Sequence, residues 1–142
     1  MLSKRIIACL DVRNGSVVKG INFEGLRVAG DPSELSRRYN RDGIDEIVIL
    51  DVTATIEKRK ALADTIHAVA KEIFLPLCVG GGIKDEAHAD AAIEAGADKV
   101  SLNTAAIANP ELLTTLARRY GSQAVVVAID TKRVGDIFQI YV

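Results

Sequence analysis

The sequence is poor in the residues that mark several protein classes. It has two cysteines, one methionine, three prolines and no tryptophan in 142 residues. Cys9 and Cys78 are too few for a disulfide framework or a zinc site, so we expect buried, reduced thiols, no metal site and a cytoplasmic protein. No apolar run approaches the roughly 18 residues of a membrane helix, and the polar start Met1–Arg5 is not expected to be a signal peptide.

An excess of charge of one sign is also missing. The formal net charge is −1 although 26% of the residues are charged, so we expect no basic surface for nucleic acid. Hydrophobic residues make up 49% of the chain, which is enough for a packed core in one domain spanning 1–142.

Short apolar runs alternate with helical stretches along the chain. The runs are rich in valine and isoleucine, as in parallel strands covered on both faces. We predict five strands at Arg5–Asp11, Glu46–Asp51, Leu77–Gly80, Lys99–Asn103 and Ala124–Asp130. We predict four helices, from Asp31 to Gly43, around Leu62–Ile73, from Asp85 to Gly96, and from Asn109 to Gly121. The start Asp31-Pro32-Ser33-Glu34 predicts that Asp31 caps the first of them. This order predicts an α/β fold with right-handed crossovers.

The domain divides into four βα units over 1–122 and a fifth strand with a hairpin-like tail over 123–142. A turn signal at Gly135-Asp136 separates the tail from a further strand-like run, Ile137–Val142. An internal echo, Gly43–Ile47 with Gly96–Val100, indicates a repeated unit two βα units long.

Acidic residues stand where several predicted strands end. Asp11 and Asp130 share the parity of the residues expected to face a barrel interior, so both are expected at its mouth as an acid and a base. The alternative is that an aspartate at the end of a strand merely caps the loop that follows. Asp51 has the opposite parity to Glu46, and we expect only a supporting role for it.

A run of three glycines, Gly80-Gly81-Gly82, precedes the third helix. Such a run lets the backbone approach an anion and direct N–H groups at it, although a tight turn explains it equally well. Together with Asn103 and Thr104 from the next strand, it predicts a phosphate site.

The segment 12–30 contains Lys19 and four glycines, and we expect a long mobile lid that brings a cation to the substrate. The alternative is a disordered surface loop. At the opposite end of the strands, Arg5, Glu46 and Lys99 are expected to form an ion-pair cluster on the barrel floor.

These residues resemble a known family, the cyclase subunits of imidazole glycerol phosphate synthase. The resemblance covers essentially the whole chain, and the matching segments are Lys4–Val12, Val17–Gly20, Asn22-Phe23, Gly30–Pro32, Val79–Ile83, Gly96–Thr104 and Val125–Asp130.

The resemblance implies half of a (β/α)8 TIM barrel without a cofactor. It implies ring closure of a bisphosphorylated ribulosyl-formimino-carboxamide nucleotide with ammonia from a partner glutaminase. The implied roles are an acid/base pair (Asp11, Asp130), a closing-loop cation (Lys19), a phosphate site (Gly81, Gly82, Asn103, Thr104), an ammonia gate (Arg5, Glu46, Lys99) and a residue facing the glutaminase (Asp98).

The chain supplies five strands where the family has eight, so we expect self-association through the exposed edges of the half-barrel. Two alternatives are a non-catalytic, phosphate-binding half-barrel scaffold and the sister phosphoribosyl sugar isomerase. The Lys4–Ile7 start and Lys99 speak against the isomerase.

Overall fold

The computed structural model describes residues 3–21, 24–52 and 59–141. Its strands are β1 (Ile7–Arg13), β2 (Ser16–Ile21), β3 (Glu24–Gly30), β4 (Glu46–Asp51), β5 (Leu77–Gly80), β6 (Lys99–Leu102), β7 (Val125–Val127), β8 (Thr131–Val134) and β9 (Ile137–Ile140). Its helices are α1 (Pro32–Arg41), α2 (Arg59–Glu72), α3 (Glu86–Glu94), α4 (Thr104–Ala108) and α5 (Glu111–Tyr120). Asn22 and Phe23, part of the resemblance above, lie outside the described residues.

Seven strands form one sheet in the order β3-β2-β1-β4-β5-β6-β7. The five strands β1, β4, β5, β6 and β7 pair in parallel, each with the next one along the chain. They are the five predicted strands, and helices α1, α2, α3 and α5 connect them. The α/β architecture of half a (β/α)8 barrel is therefore confirmed.

The core lies between this parallel sheet and the helices. The register joins Leu10, Ile49, Val79, Val100 and Val125 into one row across all five strands. The first four of these side chains are buried, and they pack in one cluster with Ile66 and Val69 of α2 and Leu112 and Leu116 of α5. Alternate residues of every strand thus hold the helices on one face of the sheet.

The intervening residues form the open face, the side of the sheet turned away from the helices. Cys9, Val48, Cys78 and Lys99 form one row of it by register. Cys78 is buried as predicted, but the prediction is wrong for Cys9, which is exposed on this face like Ile7, 45% of which is exposed. In a complete barrel this face is the packed interior. In the half-barrel, part of this normally buried face is therefore exposed to solvent.

The prediction of a long loop over 12–30 is wrong, because β2 and β3 form an antiparallel hairpin there. Val12 of β1 pairs with Val17 of β2, and the turn between them has positive φ at Asn14 (53°) and Gly15 (78°). An Asn-Gly pair with both φ values positive is the preferred two-residue hairpin turn. The lid segment therefore has regular secondary structure, with Lys19 on β2 opposite Arg27 on β3.

The end of the chain also differs in detail from the prediction. Strand β7 ends at Val127, so Asp130 lies beyond it, although the N–H of Ala128 still donates to the carbonyl of Leu102 at 3.0 Å. The tail forms the β8–β9 hairpin, whose residues are all exposed. The short helix α4 was not predicted.

The internal echo has a structural counterpart. The Asp45 carboxylate accepts from the backbone N–H of Ile6 at 2.6 Å, while the Asp45 N–H donates to the Ile6 carbonyl at 2.9 Å. Asp98 makes the same two bonds with Leu77, each at 2.8 Å. In each repeat an aspartate ties the start of its strand to the start of the preceding one.

Helix α1 begins on the predicted cap. The Asp31 carboxylate accepts from the Glu34 N–H at 2.9 Å and from the Ser33 hydroxyl at 2.5 Å. These two hydrogen bonds lower the pKa of Asp31 below its ordinary 3.8, the Ser33 bond contributing most. An N-cap of this kind stabilises a domain by about 1 kcal/mol.

Replacing Asp31 by alanine is expected to lower the free energy of unfolding by about 1 kcal/mol at pH 7, because the first turn of α1 loses its acceptor. Because folding lowers this pKa, the ionic part of the stabilisation is present above 3.8 and is lost as the pH falls through the folded value. Asp31→Asn keeps the cap without the charge. Urea unfolding should give Asp31→Asn most of the wild-type stability at pH 7 and a smaller loss on acidification. Equal acid sensitivity in wild type and Asp31→Asn would contradict the assignment.

Candidate functional site

A cavity of about 640 Å³ lies at the carboxyl ends of the parallel strands. It brings together six of the predicted site residues from four different segments, Asp51, Gly81, Gly82, Asn103, Thr104 and Asp130. Because the strands are parallel, their ends collect at one edge of the sheet, where α/β proteins bind ligands. The pairing of β1 with β4 runs without a bulge up to Val12 and Asp51, so Asp51 reaches the cavity as the last residue of its strand.

The three glycines have separate reasons to be glycine. A Cβ on Gly80 would lie 2.9 Å from the Leu50 side chain, and one on Gly81 would lie 2.2 Å from the backbone oxygen of Asp51. Both residues therefore allow a close approach between neighbouring strands. Gly82 has a positive φ of 72° but open space where a Cβ would be. Of the three, Gly82 is the residue whose surroundings leave room for a ligand.

Asn103 and Asp130 are in direct contact. The Asn103 Nδ2 donates to the Asp130 Oδ2 at 2.9 Å across 27 residues of sequence. Asn103 directly follows β6, and Asp130 follows β7, its neighbour in the sheet. The arrangement places a carboxylate, an amide and the Gly82 turn on one cavity, which suits proton transfer beside a bound anion.

Asp11 and Lys19 are not among the residues that line this cavity. Asp11 pairs with Leu50 on the open face, and the parallel order directs the ends of β1 and β7 to the same edge. The two strands are four spacings apart, or about 19 Å along the sheet. Asp11 and Asp130 thus stand at opposite ends of the five-strand arc, and Lys19 lies exposed on the β2–β3 hairpin.

The three charged residues predicted at the floor lie together at the other end of the sheet. The buried Glu46 carboxylate accepts from Arg5 at 2.9 Å and from Lys99 at 2.8 Å, both at Oε2. The pKa of the neighbouring Cys78 thiol is raised to about 11, mainly by burial and also by the charge of Glu46, while the charge of Lys99 opposes the shift. This end of the open face is therefore lined by a carboxylate held by two cations beside a protonated thiol.

A second cavity, of about 420 Å³, lies at this same end of the strands and includes Asp98. Beside it Phe74 is 97% exposed, an unusual position for an aromatic side chain. Phe74 is not among the predicted site residues, because its exposure depends on how the loop between α2 and β5 packs. Asp98 is engaged by the Leu77 N–H, so its carboxylate is held in place.

No group of three or more histidine, cysteine or acidic side chains is arranged to hold a metal ion in the described ranges. None of the helices within 3–21, 24–52 and 59–141 has the length and apolar character needed to cross a membrane.

Gly81→Ala and Gly82→Ala make a matched pair, since both positions have positive φ. Gly82→Ala is expected to cost about 1–2 kcal/mol from the backbone conformation alone. Gly81→Ala is expected to cost about 2–4 kcal/mol, because the new methyl group also collides with the backbone of Asp51. Urea unfolding measures both, and equal losses would show that β4 and the glycine turn do not approach each other as described.

Comparison with known proteins places this sequence in a family. The model of the family described as "Histidine biosynthesis protein" matches residues 5–142. The imidazole glycerol phosphate synthase subunit HisF of Thermotoga sp. strain RQ2 is 57% identical over 141 residues, which cover 99% of this chain and 56% of that protein. The subunits of the same name from Dehalococcoides mccartyi strain BAV1 and Myxococcus xanthus are 54% and 51% identical over the same shares.

The chain spans about half the length of the curated relatives it matches. The family match nevertheless extends over nearly all of it, including the cavity residues and the floor cluster. This chain belongs to the histidine biosynthesis protein family.

Proposed function

We propose that the chain is the N-terminal part of a cyclase that closes the imidazole ring of imidazole glycerol phosphate. The substrate would be a bisphosphorylated ribulosyl-formimino-carboxamide nucleotide, ammonia the co-substrate, and an aminoimidazole carboxamide ribotide the second product. The observation that carries the proposal is the cavity in which Asp130 lies beside Gly82, Asn103 and Thr104. The names of the similar HisF subunits support the same reaction.

In this proposal Asp11 and Asp130 are the acid/base pair, and Gly81, Gly82, Asn103 and Thr104 hold one phosphate. A bisphosphorylated substrate that lies across the open face would have one phosphate in the cavity and its reacting centre between the two carboxylates. Lys19, carried by the β2–β3 hairpin, would supply a cation near the Asp11 end. Asp51 has a supporting position at the cavity wall.

Ammonia would enter at the opposite end, past Arg5, Glu46 and Lys99. The buried Glu46 carboxylate and its two cations would close the floor through ion pairs alone. Small displacements of the Lys99 or Arg5 side chain would therefore open it. Ammonia would then travel along the open face to the acids. This route also explains why charged residues occupy a face that is otherwise apolar.

The glutaminase that supplies ammonia would dock at this floor. Asp98 and the exposed Phe74 flank the 420 Å³ cavity there, and an exposed aromatic beside a cleft is a common anchor of protein interfaces. The hydrogen bond to Leu77 orients the Asp98 carboxylate toward a partner at fixed geometry. The free thiols Cys9 and Cys78 suit action in the cytoplasm.

The open face of this half-barrel would be covered by a second half-barrel, as the interior of a complete barrel is. We take 1–142 as a single half-barrel domain, with four βα units over 1–122 and the fifth strand and tail over 123–142. Its open face and the β7 edge present apolar groups and unpaired backbone to solvent, which favours pairing with a second half-barrel. A second copy is one such partner, and a non-catalytic, phosphate-binding assembly is the alternative to the enzyme.

The proposed activity is tested by mixing the chain with the C-terminal half of the Thermotoga sp. relative and an ammonium salt. We expect consumption of the bisphosphorylated nucleotide, and a loss of about 10²- to 10⁴-fold with Asp11→Asn or Asp130→Asn, because each removes a proton-transfer group. Asp136→Asn, at an exposed position of the tail, is the matched control and should leave the rate unchanged. Turnover that survives both Asp11→Asn and Asp130→Asn would refute the assigned acids, and no turnover in any mixture would favour the scaffold.

Self-association is tested separately on the unmixed chain. Light scattering coupled to size exclusion is expected to give at least twice the 15.2 kDa of one chain, because the open face buries apolar side chains only in an assembly. A single species at 15.2 kDa at all concentrations would contradict this part of the proposal.

A further inference from the structure

Asp130 is exposed, and an exposed carboxylate rotates freely unless something holds it. Within the described part of the chain its one side-chain hydrogen bond comes from the Nδ2 of Asn103, at 2.9 Å. The backbone supports this contact, because the Ala128 N–H donates to the carbonyl of Leu102, the residue before Asn103. The two strand ends are therefore tied together at the point where the two side chains meet.

The orientation of the Asn103 amide follows from its partner. A carboxylate only accepts hydrogen bonds, so Nδ2 and not Oδ1 must face Asp130. Oδ1 is then left buried and has no hydrogen-bond partner among the described residues. Leaving a buried acceptor unsatisfied is costly, and a charge-assisted hydrogen bond on the other side of the amide offsets that cost.

Asn103 also forgoes its usual local role. It is the residue before α4, where asparagine typically accepts from the N–H groups of the first turn. Here the side chain makes no such cap hydrogen bond. The amide is directed to a residue 27 positions away instead, which is the behaviour expected where a side chain serves a site rather than a helix.

An asparagine amide has two hydrogens, and the bond to Asp130 uses one of them. We infer that Asn103 is a positioning residue that holds the Asp130 carboxylate with one amide hydrogen and binds the substrate phosphate with the other. Gly82 and Thr104 line the same cavity and complete the phosphate site. One rigid planar group then fixes the distance between the bound phosphate and the acid. This inference rests on the proposed cyclase function and assigns to Asn103 a role beyond phosphate binding.

The contact is tested by NMR on the unmixed, ¹⁵N-labelled chain. The side-chain amide of Asn103 is assigned by its absence in Asn103→Ser, a substitution that retains a good N-cap for α4. With Asp130→Ala, we expect the hydrogen-bonded amide proton to shift and to exchange with solvent about tenfold faster, because its acceptor is gone. Asp130→Asn keeps an acceptor oxygen and should rescue much of the protection. Asp11→Asn, which removes a carboxylate elsewhere on the same face, should leave the signal unchanged. An Asn103 amide that is indifferent to Asp130→Ala would overturn the inference.

The role in turnover is tested in the mixture with the C-terminal half, by comparing Asn103→Ser with Thr104→Ala. A residue that only binds phosphate affects mainly KM, whereas one that also positions the acid lowers kcat. Thr104→Ala is therefore expected to raise KM with little change in kcat. Asn103→Ser is expected to raise KM and to lower kcat by roughly ten- to a hundredfold. The same KM-only effect for both variants would show that Asn103 is a phosphate ligand and nothing more.

The two experiments separate this inference from the proposed function. A mixture that never turns over would contradict the cyclase proposal, while the NMR comparison would still decide whether Asn103 holds Asp130. Turnover that depends on Asp130 but not on Asn103 would sustain the cyclase and contradict the positioning role.

Discussion

Parallel pairing of β1, β4, β5, β6 and β7 in one continuous register is the constraint on which the rest of the molecule depends. Side chains alternate between the two faces of a strand, so a slip of one residue would exchange the helix-facing row for the open-face row. The slip would bury Glu46 and Lys99 under the helices and expose Ile47 and Val100. The large apolar area now buried between sheet and helices therefore fixes the register.

Polar contacts at both ends of the strands reinforce this register. Asp45 and Asp98 tie the strand starts to their neighbours through backbone hydrogen bonds. Glu46 on β4 holds both Arg5, which precedes the neighbouring strand β1, and Lys99 on β6, two strands away on the other side. The Lys99 side chain is 20% exposed and that of Arg5 is 61% exposed, so the bond to Lys99 is the less screened and the stronger of the two. At the opposite edge, Gly80 and Gly81 let the strands approach closely enough to form the cavity wall.

The sequence predicted most of this frame because the signals were local. Strands β4 and β5 begin and end where the valine- and isoleucine-rich runs do, and the Asp31 cap was readable from its own four residues. The β2–β3 hairpin was not predicted, because four glycines within 12–30 are also typical of a flexible loop, although the Asn14-Gly15 pair is typical of a hairpin turn. Helix α4 was not predicted, because five residues are too few to show a helical pattern of hydrophobic residues.

For the site, chain order and side-chain parity were enough to assemble Gly82, Asn103, Thr104 and Asp130 at one edge. They were not enough to predict that Asn103 contacts Asp130, since this contact depends on the path of the chain between the end of each strand and the residue. Nor did they separate Asp11 from the cavity, because parity gives the face of a strand and not the distance across a curved sheet. Phe74 was missed for a similar reason, as its exposure is a property of the packed loop.

We propose that the ends of the parallel strands form one anion site beside an acid. The most direct measurement is a titration of the ¹⁵N-labelled chain with inorganic phosphate, followed by the backbone amide signals. We expect saturable shifts of the Gly82, Asn103 and Thr104 signals that weaken as salt is added, while the signals of the floor residues Glu46 and Lys99 stay constant. Changes confined to the floor or to the β8–β9 hairpin, or none at the glycine turn, would contradict it.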